Sequence, residues 1–165
     1  MSLIIDPMLP KHWPQVQAIY LEGIATGQAT FETTAPDWPG WDESHLAKCR
    51  LVAIREEKVL GWAALSAVSK RKVYAGVAEV SVYIASDARG IGVGNALMSA
   101  LIPASEAEGI WTLQSAVFPE NTASIALHLK HGFREVGRRE RIAKLHGIWR
   151  DTVLLERRSR ILELD

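Results

Sequence analysis

Residues 89–95 read RGIGVGN, with three glycines at alternate positions. Glycine in a regular element costs about 0.5–1 kcal/mol against alanine, so such spacing marks a turn that needs bare backbone or positive φ. Before it runs GVAEVSVYIA (76–85), β-branched and alternating, which predicts a strand. After it, residues 92–108 predict a helix ending at Gly109, with Pro103 expected to kink or split it. A helix that opens on glycines presents free N–H groups and the positive end of its dipole, which together attract an anion. Arg89 adds a charge beside them. Arg89, Gly90, Ile91, Gly92, Val93, Gly94 and Asn95 therefore form a candidate phosphate or pyrophosphate cradle. Asn95 breaks the G-x-G-x-x-G dinucleotide spacing, and no Lys follows as a Walker loop requires.

The remaining segments alternate in type. A strand is predicted at 2–6, a helix at 11–25, a long loop at 26–41 and a short helix at 42–48. A hairpin follows at 50–68, turning near Glu56, Glu57 and Lys58. Beyond the glycine turn come a strand at 110–118 and a helix at 121–132 with Gly132 as its stop. Two final strands turn near His146 and Gly147. The order β-α-(α)-β-β-β-α-β-α-β-β predicts an α/β fold whose central sheet is mixed, with an antiparallel start and flanking helices. Residues 1–165 read as a single domain.

Hydrophobic residues make up 48% and charged residues 23%, which suits a packed soluble domain. A net charge of zero gives no electrostatic footprint for nucleic acid. One cysteine, Cys49, excludes an intrachain disulfide and fits a cytoplasmic protein. Cys49 has no motif around it and reads as structural rather than as a nucleophile. The first residues are broken early by Asp6 and two prolines and do not read as a signal peptide. No run is long enough to span a bilayer.

The Arg-x-x-Gly-x-Gly pattern of Arg89–Gly94 resembles the acetyl-CoA pyrophosphate loop of the GCN5-related N-acetyltransferase (GNAT) superfamily. NTASIALHLKHGF (121–133) resembles that superfamily's second cofactor helix, and Asn121 stands at its CoA-contacting asparagine. His128 replaces the more common tyrosine, as it does in the phosphinothricin and methionine sulfone acetyltransferase branch. AEVSVYI (78–84), AIYLEGIATGQATFET (18–33) and KLHGIWRD (144–151) are similar to stretches of the same branch. The resemblance implies a GNAT fold, acetyl-CoA as co-substrate, no metal, a homodimer, and a small amino-acid-like amine as acceptor.

It also implies roles. Backbone groups of Val82, Tyr83 and Ile84 would pair with the pantetheine arm, and an N–H of that strand would polarise the thioester carbonyl. Asn121 and Ser124 would hold the cofactor. Glu79 would take the amine's proton, since only the free amine is a nucleophile; by strand alternation it shares a face with Ser81 and Tyr83. His128 would assist as acid or base, or anchor the cofactor. Phe31, Glu32, Thr33, Lys72, Val73 and Tyr74 would contact the acceptor, some from the partner subunit. Ala75 stands where some members carry a carboxylate-binding arginine. Two other readings remain: acetylation of a protein N-terminus or lysine, and an acetyl-CoA sensor without turnover.

Overall fold

The computed structural model describes residues 2–162. Seven strands form one sheet: β1 (Ile4–Pro7), β2 (Leu51–Arg55), β3 (Lys58–Ala67), β4 (Val77–Ile84), β5 (Thr112–Val117), β6 (Arg134–Leu145) and β7 (Ile148–Arg158). They lie in the order β1-β2-β3-β4-β5-β7-β6. Every neighbouring pair is antiparallel except β4 and β5, which run parallel. Four helices complete the fold: α1 (Trp13–Thr26), α2 (Trp38–Ser44), α3 (Val93–Ala107) and α4 (Thr122–Lys130). This is the α/β, mixed and mostly antiparallel arrangement that the order of segments predicts.

Two local expectations need correction. The helix expected at 42–48 starts four residues earlier, at Trp38. The Asp37 side chain accepts from the Gly40 N–H at 3.0 Å, and Pro39 sits in the first turn, where a missing N–H costs nothing. Pro103 does not split α3, which runs unbroken through it. Pro103 and Ser99, whose carbonyl loses its partner, both face solvent, so water takes the place of the missing bond.

The β6–β7 hairpin explains a motif. His146 and Gly147 both hold positive φ, 49° and 78°, which suits a two-residue turn between twisted strands. Lys144 and Trp149 are opposite each other, with the ammonium 4.9 Å from the ring centroid. β6 bulges between Arg139 and Ala143, and Asp151 holds the bulge by accepting from the Arg141 N–H at 2.9 Å and from Arg138. Lys144, Gly147, Trp149 and Asp151 thus shape the hairpin itself.

The core forms on both faces of β3 and β4. On one side Trp62 stacks on Tyr83 (4.9 Å, 18°) and meets Trp41 edge-on, beneath α1 and α2. On the other, Val93, Leu97, Met98 and Leu101 of α3 are at most 1% exposed. Each aromatic pair adds about 0.5–1.5 kcal/mol beyond its area burial. β4 keeps a regular register with β3 from Ala78 to Ile84, so no bulge switches its faces.

Pro103→Ala restores one helical hydrogen bond at an exposed position. It should stabilise the protein by about 1–3 kcal/mol, the helix penalty of proline less its benefit in the unfolded chain. Urea denaturation reads the change as a higher midpoint at constant slope; an unchanged or lower midpoint contradicts it.

Candidate active site

β4 and β5 pair only through Val77–Glu79 with Thr112–Gln114. Beyond that point β4 continues to Ile84 and β5 to Val117, but they no longer share a ladder. One edge of residues 80–84 therefore offers backbone N–H and C=O groups that β5 does not take up. Both strand ends line a single cavity of about 800 Å³. Glu79 is the last paired residue of β4, at the apex of this wedge.

The glycine turn closes one end of the cavity. Gly90 and Gly92 hold φ of 77° and 92°, and a Cβ at either would meet open space. Gly92 is the N-cap of α3 and brings no side chain to its first-turn N–H groups. Those donors are left for a ligand. Gly94 serves a different purpose: its Cβ would meet the Leu127 side chain at 3.2 Å, so it lets α4 approach α3. The two helices are also tied by His131, whose Nε2 lies 2.8 Å from Asn95 Oδ1.

The loop after α1, the end of α2 and the outer face of β4 form the other end. Tyr20, Thr30, Phe31, Glu32, His45, Trp62, Glu79 and Tyr83 line it. Burial pushes the Tyr83 phenol well above the usual range, and the Tyr20 phenol rises for the same reason, helped by Glu32. Both stay protonated, with the Thr30 hydroxyl beside them. Phe31 meets Phe118 edge-on at 4.8 Å.

α4 supplies the third wall. Asn121 caps it, its Oδ1 accepting from the Ser124 N–H at 3.2 Å, while its Nδ2 donates to the Gln28 carbonyl at 3.3 Å. His128 is 3% exposed. Its Nδ1 donates to the Ser124 carbonyl at 2.6 Å, which fixes the tautomer and leaves Nε2 as an acceptor without a partner. Burial holds its pKa below the ordinary imidazole value, so the ring is neutral at neutral pH.

The cavity wall thus brings together Glu79, His128, Val82, Tyr83, Ile84, Arg89, Gly90, Gly92, Val93, Gly94, Asn95, Asn121, Ser124, Phe31 and Glu32. Ile91 and Thr33 are exposed outside it. Lys72, Val73 and Tyr74 are exposed on the turn leading into β4 and do not line it. Sequence reasoning missed Trp62, which is both core and cavity wall. It also missed Tyr20 and His45, which carry no motif and reach the cavity only by packing.

Residues 13–133 match the family model described as acetyltransferase (GNAT) family. The chain belongs to the GNAT acetyltransferase family. A phosphinothricin N-acetyltransferase of Alcaligenes faecalis is 38% identical over 155 residues, 87% of this chain and 76% of that protein. An L-methionine sulfoximine/L-methionine sulfone acetyltransferase of Pseudomonas paraeruginosa is 28% identical, over 87% of each chain. The structure of a GNAT phosphinothricin acetyltransferase from Sinorhizobium meliloti, in complex with AcCoA, superposes with a TM-score of 0.85 at 27% identity. The alignment covers 100% of this chain and 97% of that one. No group of metal-ligating side chains occurs among the described residues, and no helix among them is long and apolar enough to cross a membrane.

Two predictions follow from this geometry. Gly92→Asp forces a strained φ and places a negative charge at the helix start, so acetyl-CoA binding should fall by 100-fold or more, roughly 3 kcal/mol. Calorimetry reads it, and unchanged affinity rules out this cradle.

The second concerns pH. His12, His45, His128 and His131 all have lowered pKa values, chiefly through burial. Below 6.5, the ordinary imidazole value, the unfolded chain binds protons that the folded chain refuses. The melting temperature should therefore fall as pH drops from about 7.5 to about 5.5. A flat profile over that window means these rings are solvated.

Proposed function

We propose that this enzyme moves the acetyl group of acetyl-CoA to the primary amine of a small amino-acid-like compound, of the methionine sulfone, methionine sulfoximine or phosphinothricin type, and works as a homodimer. The observation that carries this is the place of Glu79, at the apex of the wedge between the glycine-turn cradle and the aromatic end. The named relatives support the acceptor class.

Acetyl-CoA supplies an activated acetyl group as a thioester. The open N–H groups at the start of α3, with Arg89, hold its pyrophosphate. The free edge of Val82, Tyr83 and Ile84 holds the pantetheine arm as an added strand would be held. Asn121 and Ser124 bound the arm from α4. A backbone N–H of β4 donates to the thioester carbonyl, where charge develops during transfer. Much of the rate gain comes from holding amine and thioester in contact within one cleft.

Glu79 takes the proton of the amine. Phe31 and Glu32 bound the acceptor from the loop after α1; Thr33, Lys72, Val73 and Tyr74 lie outside this subunit's cavity and would reach an acceptor only from the partner subunit. His128 has a lone pair on Nε2 and its proton on Nδ1 committed to Ser124. It can therefore accept a proton only on Nε2, and once protonated there it can return that proton to the thiolate released when the C–S bond breaks. Exposed Val136, Ile142, Ile148 and Trp149 on β6 and β7 give the partner subunit an apolar surface.

Thiol release from acetyl-CoA with L-methionine sulfone, L-methionine sulfoximine and L-phosphinothricin tests the reading, with Glu79→Gln beside the wild type. Turnover should fall by about 100-fold or more in the variant, the share of a general base, with acetyl-CoA affinity kept. Tight acetyl-CoA binding without turnover of any of the three rejects the acceptor class, and full activity in Glu79→Gln rejects the base.

A further inference from the structure

Arg150 belongs to none of the cavity walls, yet it gathers the loop that forms one of them. The guanidinium sits on β7 with 14% of its side chain exposed. Nη1 donates to the Gly27 carbonyl at 2.9 Å, and Nη2 donates to Gln28 Oε1 at 2.6 Å. Nη2 also reaches Glu120 Oε2 at 3.3 Å. Its Cζ lies 4.1 Å from the centroid of the Phe118 ring. That same ring meets Phe31 edge-on. One planar cation thus joins the end of α1, the side chain that follows it and the aromatic pair carrying Phe31.

The loop has few other holds at this end. Gly27 leaves α1 at a φ of 69°, and the next ten residues precede α2. The Thr26 hydroxyl makes only local turns, donating to the Gly23 carbonyl at 2.7 Å and accepting from the Gln28 N–H at 3.1 Å. The Thr30 hydroxyl accepts from the Glu32 N–H at 3.1 Å and also lies against the Tyr20 and Tyr83 hydroxyls. Gln17 fastens the far end through the Pro36 carbonyl at 3.0 Å. Near Phe31 the tethers to the body include Arg150, the Phe31–Phe118 contact, the long bond from Asn121 to Gln28 and the Thr30 hydroxyl against Tyr20 and Tyr83, of which Arg150 alone holds the loop by two donors and a ring face. Arginine suits this position because its fork reaches several acceptors while its face stacks on a ring; lysine offers a single charge point.

We propose that Arg150 is a positioning residue for the acceptor, holding residues 27–32 against Phe118 so that Thr30, Phe31 and Glu32 form one wall of the acceptor end. This rests on the reading that this end receives the amine. Arg150 touches neither substrate. Its charge is already committed to Glu120 and two neutral oxygens, so it is not an anchor for a substrate anion.

Steady-state thiol release with L-methionine sulfone and amide hydrogen exchange, on wild type, Arg150→Ala and Arg150→Lys, test the proposal. In Arg150→Ala the acceptor KM should rise about 10-fold or more, with the acetyl-CoA KM within about 2-fold and kcat reduced less than KM rises. Amides of 27–33 should exchange about 10-fold faster while those of β4 and α4 keep their protection. Arg150→Lys should lie between the two, because lysine keeps the charge and loses the fork. A uniform loss of kcat at constant KM, with a lower melting temperature, overturns the proposal in favour of a purely structural role. Unchanged exchange at 27–33 overturns it too, whatever the kinetics. If the wild type acetylates none of the three acceptors, the acceptor class fails separately, and exchange at 27–33 still decides whether Arg150 holds the loop.

Discussion

β4 and β5 run parallel for three residue pairs and then separate, and the cavity exists because of that separation. Had the ladder continued, the backbone groups of residues 80–84 would be spent on β5. Parting leaves them free along one edge of β4, with Glu79 where the last pair ends. The regular register of β4 with β3 fixes the orientation of every side chain on β4. A slip of one residue would turn Glu79 towards α3 and Val80 towards the acceptor end.

Two packed layers support that open edge. On the α3 side, Gly61 brings β3 close to β4 and α3: a Cβ there would meet the Tyr83 carbonyl at 2.9 Å and Val93 at 3.0 Å. On the α1 side, Gly23 gives Tyr83 room, since a Cβ would meet its ring at 2.7 Å. Tyr83, Trp62 and Trp41 then pass the contact on to α2. The rigid parts of the site are therefore strand and helix. The remaining wall is the loop after α1.

Much of the fold was legible in the sequence because its periodicities are local. Alternation in 76–85 marks β4, the glycines mark the entry to α3, and Gly132 marks the end of α4. The errors were local as well: α2 starts earlier because Asp37 caps it, and α3 runs through Pro103 because the freed carbonyl faces water. In the site, the glycine turn and Glu79 were legible because each lies in a contiguous motif. Trp62, Tyr20 and His45 were not, because they enter the cavity from β3, α1 and the end of α2, far apart along the chain.

The amino-acid sequence by itself determined the order of elements, the glycine turn that opens α3 and the strand that carries Glu79, since each is written in neighbouring residues whose backbone preferences agree. Only the tertiary structure decided where β4 and β5 part and that Gly94 serves helix packing while Gly90 and Gly92 serve the turn. It alone decided that His128 keeps its proton on Nδ1, and that Arg150 reaches across 123 positions to the end of α1. These depend on distances between segments remote in sequence. Such distances are set by how side chains fill the space between layers, which no local pattern records.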